Sequence, residues 1–234
     1  MTPNAQSEQE TASPQPATAR LAEAARYTLL RRLAPSMRHH LVVNLQPIGM
    51  IYEVMDRRLK APQPDLADVH ESAQKINGFA KAALNSCLDV ITWLAPDDEV
   101  LTSAEAGVRE CLGLLATSLT FRGYTLRDEL ATLSGMVRRS AMRNVLTAAL
   151  IHVTDHTPAP AEVVLSGELA DRALTLTLTL RPTEGDPSFV GEPAYRRLEW
   201  SDVEALAAAE SVTLTRGGRL LLRLTFPWSP ATKS

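Results

Sequence analysis

The sequence is poor in the residue types that mark several large classes of protein. Its 234 residues include two cysteines, Cys87 and Cys111, too few for a disulfide framework and without the spacing of a metal site. Aromatic residues make up 5% of the chain, and no apolar run reaches the roughly 18 residues that span a bilayer. The first twenty residues also lack the apolar centre of a signal peptide. We therefore expect a soluble, cytoplasmic protein with reduced thiols.

An excess of charge of one sign is also missing. The chain carries 24 Lys and Arg against 27 Asp and Glu, for a formal net charge of −3 and an isoelectric point near 6.0. A nucleic-acid-binding domain would carry a basic surface stripe, so we expect no nucleic-acid partner. Ala and Leu are abundant instead, which favours helices packed through aliphatic side chains.

The N-terminal part of the chain predicts one very long helix. Residues 1–18 are polar and rich in proline, and we expect them to be disordered. From about Arg20 to Lys60, apolar residues recur every three or four positions, with Asn44 as one polar step, which is the pattern of a helix packed along one side. These apolar positions are Leu30, Leu33, Met37, Leu41, Ile48, Ile51, Met55 and Leu59.

A second helix follows a proline turn. Pro62 and Pro64 stop the first helix, Asp65 can cap the next one, and Pro96 ends it. Its apolar stripe consists of Leu66, Val69, Ala73, Ile76, Ala80, Leu84, Cys87, Ile91 and Leu94. Two such helices make a hairpin whose apolar stripes usually pair with a second copy. We predict that residues 19–96 form a homodimeric four-helix bundle.

The remaining residues, 97–234, have the pattern of a mixed α/β unit. We predict helices over Ala104–Leu119 (capped by Ser103 and ended by Arg122-Gly123), Ser134–Val153 and Ser201–Ala209 (with a good cap at its start). Alternating residues predict strands over Glu162–Leu169 and Ala173–Leu180, and a hairpin of Ser211–Thr215 and Arg219–Phe226 around Gly217-Gly218. The fold class is therefore α+β, with an α/β sandwich after the helical hairpin.

One side chain of the first helix is a candidate for chemistry. At 100° per residue, His39 points away from the packed side that contains Leu41, while His40 flanks that side. An exposed imidazole is largely neutral near pH 7 and can act as a nucleophile. The residues that share this outward face, here called the outer strip, are Val43, Gln46, Met50 and Glu53. An ordinary exposed histidine is the alternative interpretation.

The segment Arg-His-His-Leu-Val-Val-Asn-Leu-Gln-Pro-Ile at 38–48 resembles a known motif. Together with the hairpin and the α/β unit, it is similar to the core of two-component sensor histidine kinases. The segment is similar to the phosphoacceptor helix of the kinase-derived phosphotransferase of the sporulation phosphorelay, which has Arg-His-Asp, an Asn four residues after the His, then Leu-Gln and Ile. The resemblance makes His39 the phosphoacceptor. His40 stands where the family has an acidic residue, and Asn44 is one place late.

The motifs with which this family binds nucleotide are missing. In Asn144–Leu150, the position that corresponds to the family's metal-linked Asn is Ala148, which has no oxygen donor for a cation. The strand at Ala173–Leu180 runs into Arg181–Asp186 rather than an Asp-x-Gly-x-Gly loop, and no Gly-rich lid follows. The terminal hairpin through Phe226-Pro227 does resemble the closing hairpin of the kinases. The resemblance therefore implies a kinase fold that has lost its nucleotide site.

Two other groups of residues have alternative interpretations. His152 and His156, with Asp155, have a spacing that could hold a metal, but no third ligand is evident and we expect exposed side chains at a helix end. No metal site is predicted.

Arg138, Arg139 and Arg143 form a basic cluster that could bind an acidic partner, although a solvated helix face is the favoured interpretation. Cys87 and Cys111 are both expected to be inert core residues.

These features together imply a histidine phosphotransferase that binds no cofactor and passes a phosphoryl group between response-regulator receiver domains. His39 would carry the phosphoryl group, with His40 as the alternative if the alignment is shifted by one residue. The receiver domain would supply Mg²⁺ and dock on Arg38, Val43, Gln46 and Met50. One alternative is a non-catalytic pseudokinase dimer that sequesters a receiver domain or a histidine kinase. Another is an active kinase with an unusual ATP site.

Overall fold

The predicted hairpin of two long helices forms the first part of the structure. The computed structural model describes residues 15–95, 99–130, 135–170, 173–185, 196–218 and 220–228. Helix α1 spans Gln15–Leu59 and helix α2 spans Leu66–Leu94. The Asp65 carboxylate caps α2 as predicted, accepting hydrogen bonds from the backbone N–H groups of Ala67 and Asp68. The first helix begins earlier than predicted, so residues 15–18 are helical, whereas 1–14 and Pro96 lie outside the described residues.

A five-stranded mixed sheet with helices on it follows the hairpin. The helices are α3 (Ala104–Phe121), α4 (Arg139–Ala141), α5 (Thr147–Asp155) and α6 (Trp200–Ala209). The strands are β1 (Leu101–Ser103), β2 (Tyr124–Asp128), β3 (Met136–Arg138), β4 (Ala161–Ala170), β5 (Ala173–Pro182), β6 (Thr213–Arg216) and β7 (Leu221–Pro227). The sheet order is β2-β4-β5-β7-β6, with β2 parallel to β4 and the other pairs antiparallel, while β1 and β3 pair separately. The predicted α+β fold is confirmed.

The helix predicted over Ser134–Val153 differs most from expectation. Residues Met136–Arg138 form strand β3, and the helix begins at Arg139, passes through a π-helical turn at Met142–Leu146 and ends at Asp155. Every residue from 140 to 155 is buried, so this helix is not amphipathic. Contacts with α3 and α6 cover the sides that a surface helix would leave to water.

Smaller differences concern caps and short strands. Ser103 caps α3 and Arg122 ends it, as predicted. The N-cap of α6 is Glu199 rather than Ser201, and it forms a capping box with Asp202. The three short strands β1, β2 and β3 were not predicted, because three to five residues carry too little alternation to recognise. In the β6–β7 turn, Gly218 has a φ of +87°, a conformation that favours glycine.

Helix α1 has two halves with different surroundings. Its basal half, residues 22–37, packs on α6 and α3, where Leu29 and Leu33 are completely buried. Its distal half, residues 39–59, packs on α2 and no residue there is fully buried. The α/β unit therefore fixes one end of the hairpin and leaves the other end projecting.

Candidate functional site

His39 lies in the first turn of the distal half of α1 and is exposed. Among the described residues, no hydrogen-bond partner holds either of its ring nitrogens, and its nearest ring neighbour is His40, with ring centroids 6.3 Å apart. The expected outward orientation of His39 is therefore found. The imidazole is free to meet a group that approaches from outside the hairpin.

The outer strip is also exposed. Val43 is 50% exposed and Met50 is 63% exposed, and Gln46 and Glu53 lie on the same open face. Arg38, next to His39, is exposed as well. Large apolar side chains in contact with water beside a histidine are suited to a protein partner.

His40 is half-buried and faces a different environment. It lines a cavity of about 260 Å³ between the hairpin and α3, together with Met37, Ser86, Asp89, Val90, Trp93, Arg109, Glu110, Gly113 and Leu114. The backbone carbonyl of His40 accepts a hydrogen bond from Asn44, whose amide also donates to Ser86 of α2 at 3.1 Å. Asn44, the polar step of the helix, thus ties the two helices together close to both histidines.

A buried carboxylate fixes the basal half of α1 to the α/β unit. Asp155, at the end of α5, accepts two 2.7 Å hydrogen bonds from Arg32 of α1 and a third of 2.7 Å from Arg122. The backbone N–H of Leu198 donates to the same carboxylate at 3.1 Å. The Asp155 side chain is fully buried and that of Arg32 is nearly so. Sequence reasoning missed this cluster, because Arg122, Leu198 and Arg32 lie 33, 43 and 123 residues from Asp155 along the chain.

A second buried carboxylate also connects the basal half of α1 to the α/β unit. Glu210, after α6, accepts hydrogen bonds from Ser140 (2.9 Å) and Asn144 (2.7 Å), and Arg26 of α1 lies 3.4 Å away. Arg138 donates to the backbone carbonyl of Glu210 at 2.7 Å. Two α1 arginines therefore each reach a carboxylate of the α/β unit.

The predicted basic cluster is not a solvated helix face. Arg139 and Arg143 both bind Glu110 of α3, and Arg143 is almost completely buried. Arg143 also donates to Thr92 and lies 4.8 Å from the ring of Trp93, so it links α2 to the α/β unit. Burial alone would raise the pKa of Glu110, but the hydrogen bonds from the two arginines outweigh it and lower that pKa. These charges are satisfied internally and do not form a docking patch.

Of the two histidines predicted to be exposed at a helix end, His156 is exposed, whereas the expectation is wrong for His152. His152 is buried, and its Nδ1 lies 2.8 Å from the Leu198 carbonyl, which His156 Nε2 also approaches at 3.1 Å. A carbonyl only accepts, so both of these nitrogens carry hydrogen. Asp155 is occupied by two arginines. No group of three or more potential metal ligands occurs in the part of the chain that the structure describes.

A cavity of about 740 Å³ adjoins the terminal hairpin, which the sequence resemblance likens to the closing hairpin of the kinases. It is bounded by the end of α5, the start of α6 and the β6–β7 turn. The end of β5 lies next to this turn, because the backbone N–H of Leu180 donates a hydrogen bond to the Leu220 carbonyl. Ala148 is completely buried in the core. The polar groups of the cavity include Arg216 and two histidines, with Glu199 as its one carboxylate among the described residues. Mg²⁺ needs several oxygen ligands, so these residues do not fit a magnesium nucleotide.

The two cysteines differ from each other. Cys111 is buried in the core of the α/β unit, and burial raises the pKa of its thiol to about 12. Cys87 is exposed on α2, so its predicted place in the core is wrong for a single chain. Its stripe is apolar, but no described residue of this chain covers it at that point.

Comparison with known proteins gives likenesses in structure only. No family model matches the sequence, and no curated protein matches it. The histidine kinase AdeS of Acinetobacter baumannii is 12% identical, with a TM-score of 0.44 over 79% of this chain and 98% of that one. A histidine kinase from Burkholderia phymatum is 15% identical (TM-score 0.42, 93% and 99% covered), and a bacterial phosphotransferase is 12% identical (TM-score 0.37, 85% and 95% covered).

Two of these structures are histidine kinases and the third is a phosphotransferase. Because their TM-scores are below 0.5, these likenesses say nothing about the activity of this chain. None of the helices in the described part of the chain is long and apolar enough to cross a membrane.

Proposed function

We propose that this protein is a cytoplasmic histidine phosphotransferase that passes a phosphoryl group between response-regulator receiver domains through His39, without binding ATP. The observation that carries the proposal is an exposed imidazole that has no hydrogen-bond partner among the described residues. It lies beside an exposed apolar strip, at the point where the projecting end of the hairpin begins. A phosphotransferase needs from its own chain only a reachable neutral imidazole and a surface that positions the partner. The exposure of His39 and of the outer strip beside it supports the proposal.

The chemistry follows from these two features. A ring nitrogen of His39 attacks the phosphorus of an aspartyl phosphate on the receiver domain, and the N–P bond forms as the bond to the aspartate oxygen breaks. The aspartate leaves as a carboxylate, and the proton on the other ring nitrogen passes to water. The receiver domain would hold the Mg²⁺ that neutralises the phosphoryl oxygens. Transfer to a second receiver is the reverse of these steps.

We infer that the active form is a homodimer. Helical spacing puts one set of exposed apolar side chains on the side of the hairpin opposite α3. This set, the apolar side, consists of Leu45, Tyr52, Leu84, Leu88, Ile91 and Leu94, each more than half exposed. A second hairpin covering this side would complete a four-helix bundle and leave both copies of His39 on its outside.

The test is phosphoryl transfer from labelled receiver domains of the same cell. Wild type, His39→Ala, His40→Ala and His70→Ala are compared, because His70 is an exposed histidine on α2 and serves as the matched control. We expect acid-labile, base-stable label on every protein except His39→Ala. Loss of label in His40→Ala alone would move the phosphoacceptor by one residue.

A non-catalytic dimer that sequesters a receiver domain or a histidine kinase is the second candidate. It is favoured by His40 at the family's acidic position and by the absence, among the described residues, of a carboxylate that orients His39. Under this alternative no receiver domain transfers label, although a stable complex forms. The same complex should then weaken in Met50→Glu, whose charge enters the outer strip, and persist in His39→Ala.

A further inference from the structure

The cavity between α5, α6 and the β6–β7 turn has the dimensions of a ligand site. Its volume of about 740 Å³ lies in the range of pockets for small organic molecules. Apolar side chains form much of its wall, namely Val153, Pro158, Leu220, Leu221 and Leu222. Such a wall can pack against the carbon skeleton of a ligand.

One cation of this cavity, Arg216, has no countercharge among the described residues. The Arg216 guanidinium lies 3.8 Å from the centre of the Trp200 ring and donates one hydrogen bond to His152 Nε2 at 3.0 Å. No carboxylate of the described residues lies within ion-pair distance of it. A guanidinium has five N–H groups, so most of its donors remain available to an anion.

The group that holds Arg216 is itself fixed. His152 donates from Nδ1 to the Leu198 carbonyl, so in its neutral form Nε2 can accept from Arg216. Burial lowers the pKa of His152, and the charge of Arg216 acts in the same direction. The stacked indole and the neutral imidazole therefore hold the guanidinium in one position before any ligand arrives.

The other charged groups of the cavity do not prevent an anion from binding next to Arg216. Glu199 caps the N-terminus of α6 and lies 3.5 Å from His156, so its charge already has two favourable neighbours. We propose that the cavity binds a small organic anion with an apolar body, free of metal, whose anionic group pairs with Arg216. The proposal stands independently of phosphoryl transfer at His39, which lies on another part of the molecule.

The test uses 8-anilinonaphthalene-1-sulfonate, a sulfonate on an aromatic body, in calorimetric titrations of the full chain. We expect one saturable site per chain, weakened at least tenfold in Arg216→Met and less in Arg216→Lys, which keeps the charge but not the planar fork. Arg223→Met is the matched control, since Arg223 is exposed on β7 and does not line the cavity. Thermal unfolding checks that each variant is folded; Arg216 is exposed on an edge strand, so its replacement should not disturb the core.

Two results would overturn the proposal. The first is equal affinity in wild type and Arg216→Met, which would assign the probe to other apolar surface such as the apolar side of the hairpin. The second is displacement of the probe by ATP that is stronger with Mg²⁺ than with EDTA, because a metal nucleotide would then be the ligand.

Discussion

The two halves of α1 continue the same helix but use their side chains in opposite ways. In the basal half, Leu29 and Leu33 are buried completely, and Arg26 and Arg32 reach carboxylates of the α/β unit. In the distal half, apolar side chains point to solvent on two sides, the outer strip and the apolar side. The difference indicates that the basal half is a structural anchor, while the distal half leaves two sets of apolar side chains exposed.

The α/β unit holds the hairpin at its basal end. Its ion pairs and apolar contacts hold both helices of the hairpin, through Arg32 on α1 and through Thr92 and Trp93 on α2. These contacts fix the position of the α/β unit relative to the hairpin, which supports the proposal that this unit is a scaffold for His39.

Breaking the anchor should have the largest effect on stability. Asp155→Asn removes the charge that pairs with Arg32 and Arg122 and leaves two arginines without a counterion in a buried site. We expect a loss of about 3–5 kcal/mol in the free energy of unfolding, measured with denaturant. Asp56→Asn breaks the exposed pair with Lys60 and should cost less than about 1 kcal/mol. Equal losses in the two variants would contradict the anchor role.

Local signals explain how much of this fold the sequence predicts. The spacing of apolar residues, the prolines at 62 and 64 and the cap at Asp65 specify the hairpin within a few residues. The alternation of residues in the long strands β4 and β5 predicts them equally well. Outward orientation of His39 follows from the same periodicity. These features depend on neighbours in the chain, which a sequence displays directly.

Features that depend on residues far away along the chain cannot be predicted from local patterns. The arginines at 138, 139 and 143 look solvated until Glu110 and Glu210 are brought beside them. The burial of α5 on all sides likewise depends on elements packed from elsewhere in the chain. The apolar stripe around Cys87 was expected to be buried, but no described residue of this chain covers Cys87.

A substitution in the distal half should have an effect of intermediate size. Leu88→Glu puts a charge into the apolar side, where Leu88 is 51% exposed. We expect the dimer to weaken at least tenfold, measured by sedimentation over a range of concentrations, because a buried carboxylate would have no partner. Phe121→Glu is the matched control: Phe121 is 76% exposed at the end of α3, away from the hairpin's apolar side. A monomeric wild type, or a dimer insensitive to Leu88→Glu, would contradict the inferred bundle.

The smallest expected effect is a pH dependence of the free energy of unfolding that arises from His152. His152 donates to the Leu198 carbonyl, and the N–H of Leu198 donates to Asp155, so this histidine is the outermost member of the network that holds Arg32. Because burial lowers the pKa of His152 in the folded state, the unfolded chain binds more protons once the pH falls below about 6.5. Its contribution to stability is complete above that pH and declines as the pH falls toward the folded-state pKa. His152→Gln keeps a donor but cannot titrate, so the variant should lose less stability than wild type between pH 7.5 and pH 5.5. A wild-type pH profile of the unfolding free energy in His152→Gln would show that the decline arises elsewhere.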